Sequence, residues 1–175
     1  PPDTGPAQAA SVEPLARLAR VARRVLDAAM AVVWLAGDPS RTVESADGGS
    51  EGPADDGESG ATQALFRRVA GALAPVAIPD LGDDAIERSS FRVVAVLGLP
   101  MRGPDGVLLG CFCVLDVRPR DWTADQIELL EDLCRSAGEI VSLQRQVQAA
   151  GERPVDAAGP HPKHAGMVED TTHQE

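Results

Sequence analysis

Residues 93–101 (VVAVLGLPM), the tetrapeptide Gly103-Pro104-Asp105-Gly106 and residues 107–117 (VLLGCFCVLDV) decide the fold of this 175-residue chain. Two apolar runs flanking a Gly/Pro/Asp turn predict an antiparallel β-hairpin. Neither run shows the polar alternation of a half-solvated strand, so the hairpin belongs at the centre of a sheet covered on both faces. Side chains alternate along a strand, which puts Cys111 and Cys113 on one face.

Toward the C-terminus, Arg118-Pro119-Arg120-Asp121-Trp122-Thr123 leads into a long helix. Thr123 and Gln126 have the spacing of a capping box, and Trp122 and Ile127 are placed to staple the helix start. The helix is expected to run to about Ala150, where Gly151 and Pro154 end it. It carries two apolar seams. Ile127, Leu130, Cys134, Ala137 and Val141 suit the sheet; Leu129, Leu133, Ile140, Leu143 and Val147 form a second seam with a near 3.5-residue repeat. A helix needs one seam for its own core. The second calls for another helix, either the first helix of this chain or the same helix of a second subunit, and makes those five residues the candidate dimer interface.

Toward the N-terminus, residues 75–79 read as an edge strand bounded by prolines. Residues 80–91 (DLGDDAIERSSF) read as an irregular polar segment with at most one helical turn. Residues 61–73 regain helical spacing through Leu65, Val69 and Leu73. Residues 47–60 are rich in glycine and acidic residues and lack large apolar ones, so they cannot offset their ordering entropy and read as a mobile loop. Residues 42–46 are the expected antiparallel partner of a strand at 31–36 (AVVWLA). A helix from near Val12 to about Met30 precedes it, with Pro14 in its first turn. Residues 1–11 and 151–175 read as disordered ends. The element order gives an α+β (α/β) fold: an antiparallel central sheet between the terminal helices on one side and a middle helix with a lid on the other.

Hydrophobic residues make up 43% of the chain and aromatic ones 3%, so the core is aliphatic. A formal net charge of −11 argues against nucleic acid and against an anionic membrane surface as partners. No apolar run has the length of a membrane span. The first residue is Pro1 and no apolar leader follows it, which reads as a fragment or processed chain of cytoplasmic location. The cysteines, Cys111, Cys113 and Cys134, are odd in number and irregular in spacing, as expected of buried reduced thiols.

The run Leu99-Pro100, Gly103-Pro104-Asp105-Gly106, Leu109-Gly110-Cys111-Phe112-Cys113-Val114-Leu115-Asp116 and Arg118-Pro119-Arg120-Asp121-Trp122-Thr123, closed by Leu129, Leu130 and Leu133, resembles the GAF domain family of bacterial signalling modules. The resemblance covers about residues 12–148 and is specific over 97–134. It implies a sensory domain over 12–150, a small-molecule pocket between sheet and lid, and an output partner such as a histidine kinase, phosphatase, nucleotide cyclase or transcription factor. The lid falls at 80–91, which makes Asp80, Phe91 and Arg92 pocket candidates. One departure is clear: residues 57–62 lack the His or Cys that related members often carry before the middle helix.

From the residues themselves, Trp34 on the first strand either lines a cavity or is core, and Cys113 faces the same question. The candidate ligand-binding set is therefore Trp34, Asp80, Phe91, Arg92 and Cys113. Cys111 and Cys113 would also serve as a redox pair or half a metal site. A metal needs further ligands, and His161, His164 and His173 all lie in the tail, so no metal site is assigned. The cofactor stays unknown, with no haem histidine inside the fold and no evident bilin cysteine. No GxGxxG, phosphate loop, HExxH or GxSxG occurs, so the chain is read as a non-enzyme. Three accounts follow: a ligand-binding sensory domain that dimerises, a ligand-free dimerisation or protein-interaction scaffold, and a thiol redox sensor or enzyme using Cys111 and Cys113.

Overall fold

The structure, a computed structural model, describes residues 6–37, 42–46, 51–53, 60–88 and 91–151; of residues 6–11, 51–53, 88, 91 and 151 it describes the backbone alone. In chain order the elements are α1 (Pro6–Val25), β1 (Met30–Leu35), β2 (Val43–Ala46), β3 (Glu51–Pro53), α2 (Gly60–Ala70), β4 (Val76–Ile78), a 3₁₀ turn at Gly82–Asp84, β5 (Ile86–Arg88), β6 (Phe91–Val93), β7 (Ala95–Arg102), β8 (Leu108–Asp116) and α3 (Ala124–Gly151). Six strands form one sheet in the order β3-β2-β1-β8-β7-β4, and β5 and β6 form a separate hairpin. All its pairings are antiparallel.

The β7–β8 hairpin is central, as its apolar runs require. β8 is hydrogen-bonded to β1 on one side and β7 on the other, and is buried from Leu109 to Asp116. Strand alternation then divides the core into two layers. Ala31, Val33, Leu35, Leu97, Leu99, Met101, Phe112 and Val114 face α1 and α3. Met30, Val32, Trp34, Val96, Cys111, Cys113 and Leu115 face α2. At Gly110 the β8 backbone presses on β1: φ is +153°, and a Cβ there would lie 1.9 Å from the Trp34 carbonyl oxygen. Only glycine fits.

The ends of α1 depart from the sequence reading. The helix starts at Pro6, so residues 6–11 are helical where disorder was expected, and Pro14 sits inside the helix. Pro6 suits a first turn and Ala7, Ala9 and Ala10 are strong helix formers, so a docked helix extends past its apolar stripe. It stops at Val25 and not near Met30. Asp27 takes a left-handed φ of +49°, with Asp27 N–H donating to Arg24 O (3.3 Å) and Ala28 N–H to Arg23 O (3.0 Å). This is a Schellman stop with aspartate where glycine is usual, and it frees Met30 to open β1.

The acidic loop expected at 47–60 contains β3, paired to β2 through Glu44↔Gly52; its remaining residues up to Ser59 lie outside the described ones, as do residues 1–5 and 152–175 of the expected disordered ends. The segment at 80–91 is more regular than expected. After its 3₁₀ turn it enters the β5–β6 hairpin, whose Ile86↔Val93 pair joins the α2-facing core. The helix α2 ends at Ala70, before Gly71, so Leu73 leaves the stripe and is 95% exposed.

The capping box of α3 closes in both directions: Gln126 N–H donates to Thr123 Oγ1 (3.3 Å) and Thr123 N–H to Gln126 Oε1 (3.1 Å). Since α1 ends and α3 begins at the same edge of the sheet, the two helices run antiparallel and in contact over one face.

Candidate functional site

The α2-facing layer is the face on which a ligand site was expected. The β5–β6 hairpin and α2 close it, through Ile86, Val93, Leu65, Phe66 and Val69. Across the sheet the rungs align Glu44–Val32–Cys113–Gly98–Val76. At Gly98 the layer is tightly filled, since a Cβ there would meet both Val69 methyls and Cys113 Sγ at 2.8–3.0 Å. Toward β2 its chemistry changes. Thr42, Glu44 and Thr62 are buried polar residues, and strand alternation places Glu44 on this face with Ala46 and Val32.

Trp34 lies in this layer, 8% exposed, its ring 6.3 Å from that of Phe66. Its indole Nε1 is buried and has no hydrogen-bond acceptor among the described residues. Cys113 is fully buried on the same face, its Sγ 3.7 Å from that of Cys111, which also reaches the Phe66 carbonyl at 3.6 Å. The two thiols share a face, as the strand spacing requires, and both are sealed from solvent.

Asp80 and Arg92 are not brought to that layer. Asp80 is exposed and its Oδ1 accepts from Gly82 N–H at 2.8 Å, fixing the 3₁₀ turn. Arg92 is exposed and lies 3.9 Å from Glu87, its cross-strand partner in the lid hairpin. Of Phe91 the described part is its backbone, the first residue of β6. Thus Trp34 and Cys113 share the layer, while Asp80 and Arg92 shape its lid from outside. Sequence reading passed over Glu44 and Thr62. The signal available was an acid and a hydroxyl at positions that alternation and helical spacing turn inward.

A second cluster joins the helical side to the sheet edge. Asp116 ends β8 with its carboxylate buried; Oδ1 accepts from Val117 N–H (2.7 Å) and Arg118 N–H (3.2 Å). Its Oδ2 takes Arg120 Nη1 at 2.8 Å. The same guanidinium donates to the Leu26 and Asp27 carbonyls at the end of α1, each at 2.8 Å. It lies 4.9 Å from the centre of the Trp122 ring, and Trp122 Nε1–H donates to Ile78 O of β4 at 3.3 Å. One arginine therefore ties together the ends of α1, β8 and β4 and the start of α3.

On α3 the sheet-facing seam is buried at Leu130, Cys134, Ala137 and Val141. Burial pushes the Cys134 thiol up to about 12, and its Sγ lies 3.7 Å from Pro100 O. In the second seam, Leu129, Leu133 and Ile140 are half-buried against the core shared with α1, while Leu143 (61% exposed) and Val147 (72%) are uncovered. Beside them a cleft of about 210 Å³ lies between the β7–β8 turn and α3, lined by Pro104, Asp105, Val107, Leu109, Ser142 and Arg145 among others. Among the described residues no cluster of three or more potential metal ligands occurs, and no helix is long and apolar enough to cross a membrane.

The sequence profile of the GAF domain family matches residues 12–141. The chain belongs to the GAF domain family. No curated protein matches it significantly. Among solved structures, this GAF domain is similar to the blue-light-absorbing form of the PixJ GAF domain of Thermosynechococcus elongatus (TM-score 0.57, 16% identity, covering 83% of this chain and 90% of that one). It is also similar to the GAF domain of an Acinetobacter phosphoenolpyruvate-protein phosphotransferase (0.55, 14%, 79% and 86%). A domain of a two-component sensor histidine kinase protein of Sinorhizobium meliloti gives 0.50 at 17% identity, covering 81% and 97%. At these identities the likeness is one of fold. In this GAF domain the motif stretch 97–134 corresponds to the inner hairpin, the Asp116–Arg120–Trp122 cluster and the first turns of α3.

Proposed function

We propose that this GAF domain is a sensory, non-catalytic module: a small molecule held on the α2 face biases the packing of α1 and α3 on the opposite face. The observation that carries this reading is the division of labour between the two faces of one sheet. One face holds Thr42, Glu44 and Thr62 and a separate lid hairpin; the other holds both terminal helices, pinned to the sheet edge by Arg120. β1 and β8 contribute alternate side chains to both faces, so a change at Trp34 or Cys113 is felt one residue away by Val33 or Phe112. A ligand that prefers one arrangement shifts the other side by its difference in affinity for the two.

The uncovered Leu143 and Val147 and the neighbouring cleft support a homodimer through α3, with Leu129, Leu133 and Ile140 flanking the seam. A bacterial cytoplasmic setting and a kinase- or phosphotransferase-type output module fit the relatives of similar fold. The filled layer at Gly98 favours a second reading, a dimerisation or protein-interaction scaffold without ligand. A thiol redox role draws no support from Cys111 and Cys113, which are both sealed. Native mass spectrometry of the protein from its own host separates the two. A dimer carrying a stoichiometric compound is expected. A dimer free of any added mass supports the scaffold reading, and an empty monomer contradicts both.

A further inference from the structure

The lid is fastened at its base. Leu81 N–H donates to Val94 O at 2.7 Å, so residues 81–94, which carry the 3₁₀ turn and the β5–β6 hairpin, form a loop closed on itself. Both legs of that loop attach to one segment, residues 116–122. On the entering leg, Arg120 N–H donates to Pro79 O (2.9 Å) and Trp122 Nε1–H to Ile78 O (3.3 Å). On the leaving leg, Val94 N–H donates to Asp116 O at 2.8 Å.

The same segment holds the terminal helices. It runs into α3 through the Thr123 cap, and the Arg120 guanidinium takes the Leu26 and Asp27 carbonyls at the end of α1. Arg120 therefore faces two ways: its main chain binds the base of the lid and its side chain binds α1. A guanidinium is a planar fork whose donors keep fixed angles to one another. Here it meets three acceptors at 2.8 Å, the Leu26 and Asp27 carbonyls and Asp116 Oδ2. A shift of the Arg120 backbone with the lid base re-aims that fork and strains all three bonds.

Proteins open locally in cooperative units and not residue by residue. We propose that residues 116–122 join the lid and the end of α1 into one such unit, so that when the lid hairpin lifts, the α1 stop loosens with it. The proposal rests on the sensory reading above for its use, and gives that reading a route along the sheet edge beside the one through the sheet. The coupling itself needs no ligand.

Amide hydrogen exchange of the full chain tests it. Ile86→Ala weakens the grip of the lid on the α2-facing core, against which Ile86 packs half-buried. Relative to the β8 amides, which report overall stability, exchange should quicken about fivefold or more both in β5–β6 and at Asp27 and Ala28. Quickening confined to the lid, or quickening at Asp27 and Ala28 only in step with β8, overturns the proposal. Two further variants cut the link. Arg120→Met removes the fork and keeps the stem; Trp122→Phe removes the donor to Ile78 O and keeps an aromatic ring beside Arg120. Adding Ile86→Ala to Arg120→Met should quicken Asp27 and Ala28 by less than about twofold, and adding it to Trp122→Phe should give a reduced effect. An undiminished effect in either variant overturns the proposal, and Trp122→Phe decides alone if Arg120→Met does not fold. Failure here leaves the sensory reading standing, whereas an empty protein from its own host removes that reading and leaves the coupling.

Discussion

Gly110 is where a single hydrogen atom in place of a side chain holds two strands together. An alanine Cβ would strike the Trp34 carbonyl, so Gly110→Ala should either separate β1 from β8 or fail to fold stably, a loss well above about 1 kcal/mol in chemical denaturation. Cys134 makes a prediction about pH. Its folded pKa of about 12 lies above the ordinary 9.0, so the folded state keeps its proton where the unfolded chain loses it. That contribution is complete below pH 9 and is lost as pH rises toward 12, with a slope approaching about 1.4 kcal/mol per pH unit. Melts at rising pH should show this decline in the native chain and a shallower one in Cys134→Ala. At this scale the sequence was informative for inward-facing apolar positions, because strand and helix periods are rigid geometry. It was silent on whether Trp34 finds an acceptor, since that depends on which residues from distant segments converge.

The element scale turns on the Arg120 cluster. Arg120→Ala leaves the buried Asp116 carboxylate with its two backbone donors and the more distant Arg118 guanidinium at 3.9 Å, and uncaps the end of α1. A loss of about 3 kcal/mol is expected, with faster amide exchange at Asp27 and Ala28; a change below about 0.5 kcal/mol would reduce the cluster to decoration. Thr123→Ala should cost about 1 kcal/mol through its half of the capping box. The inner hairpin, α3 and its cap were legible because their signals are local. The Schellman stop at Asp27 was hidden by the absence of glycine. The β5–β6 hairpin was hidden by Glu87, Arg88 and Arg92, which mask a short alternation that leaves Ile86 and Val93 facing the core. Likewise Asp80 and Arg92 were drawn to the pocket by their place in the lid, but short-range partners, the Gly82 amide and Glu87, take them outward.

For the molecule as a whole, the second seam of α3 was legible as a surplus of apolar positions, and the fold divides it. α1 partly covers Leu129, Leu133 and Ile140, and leaves Leu143 and Val147 exposed. Leu143→Glu with Val147→Glu should convert a dimer to a monomer in sedimentation velocity without lowering the melting temperature; an unchanged sedimentation coefficient would place any dimer contact elsewhere. The claim that matters most is that the two faces of the sheet communicate. Hydrogen exchange on protein isolated from its own host, compared with the same protein after unfolding, dialysis and refolding, measures this directly. Protection is expected to change both around α2 and β5–β6 and along α1 and α3; a change confined to the lid side, or no change, would contradict communication between the faces.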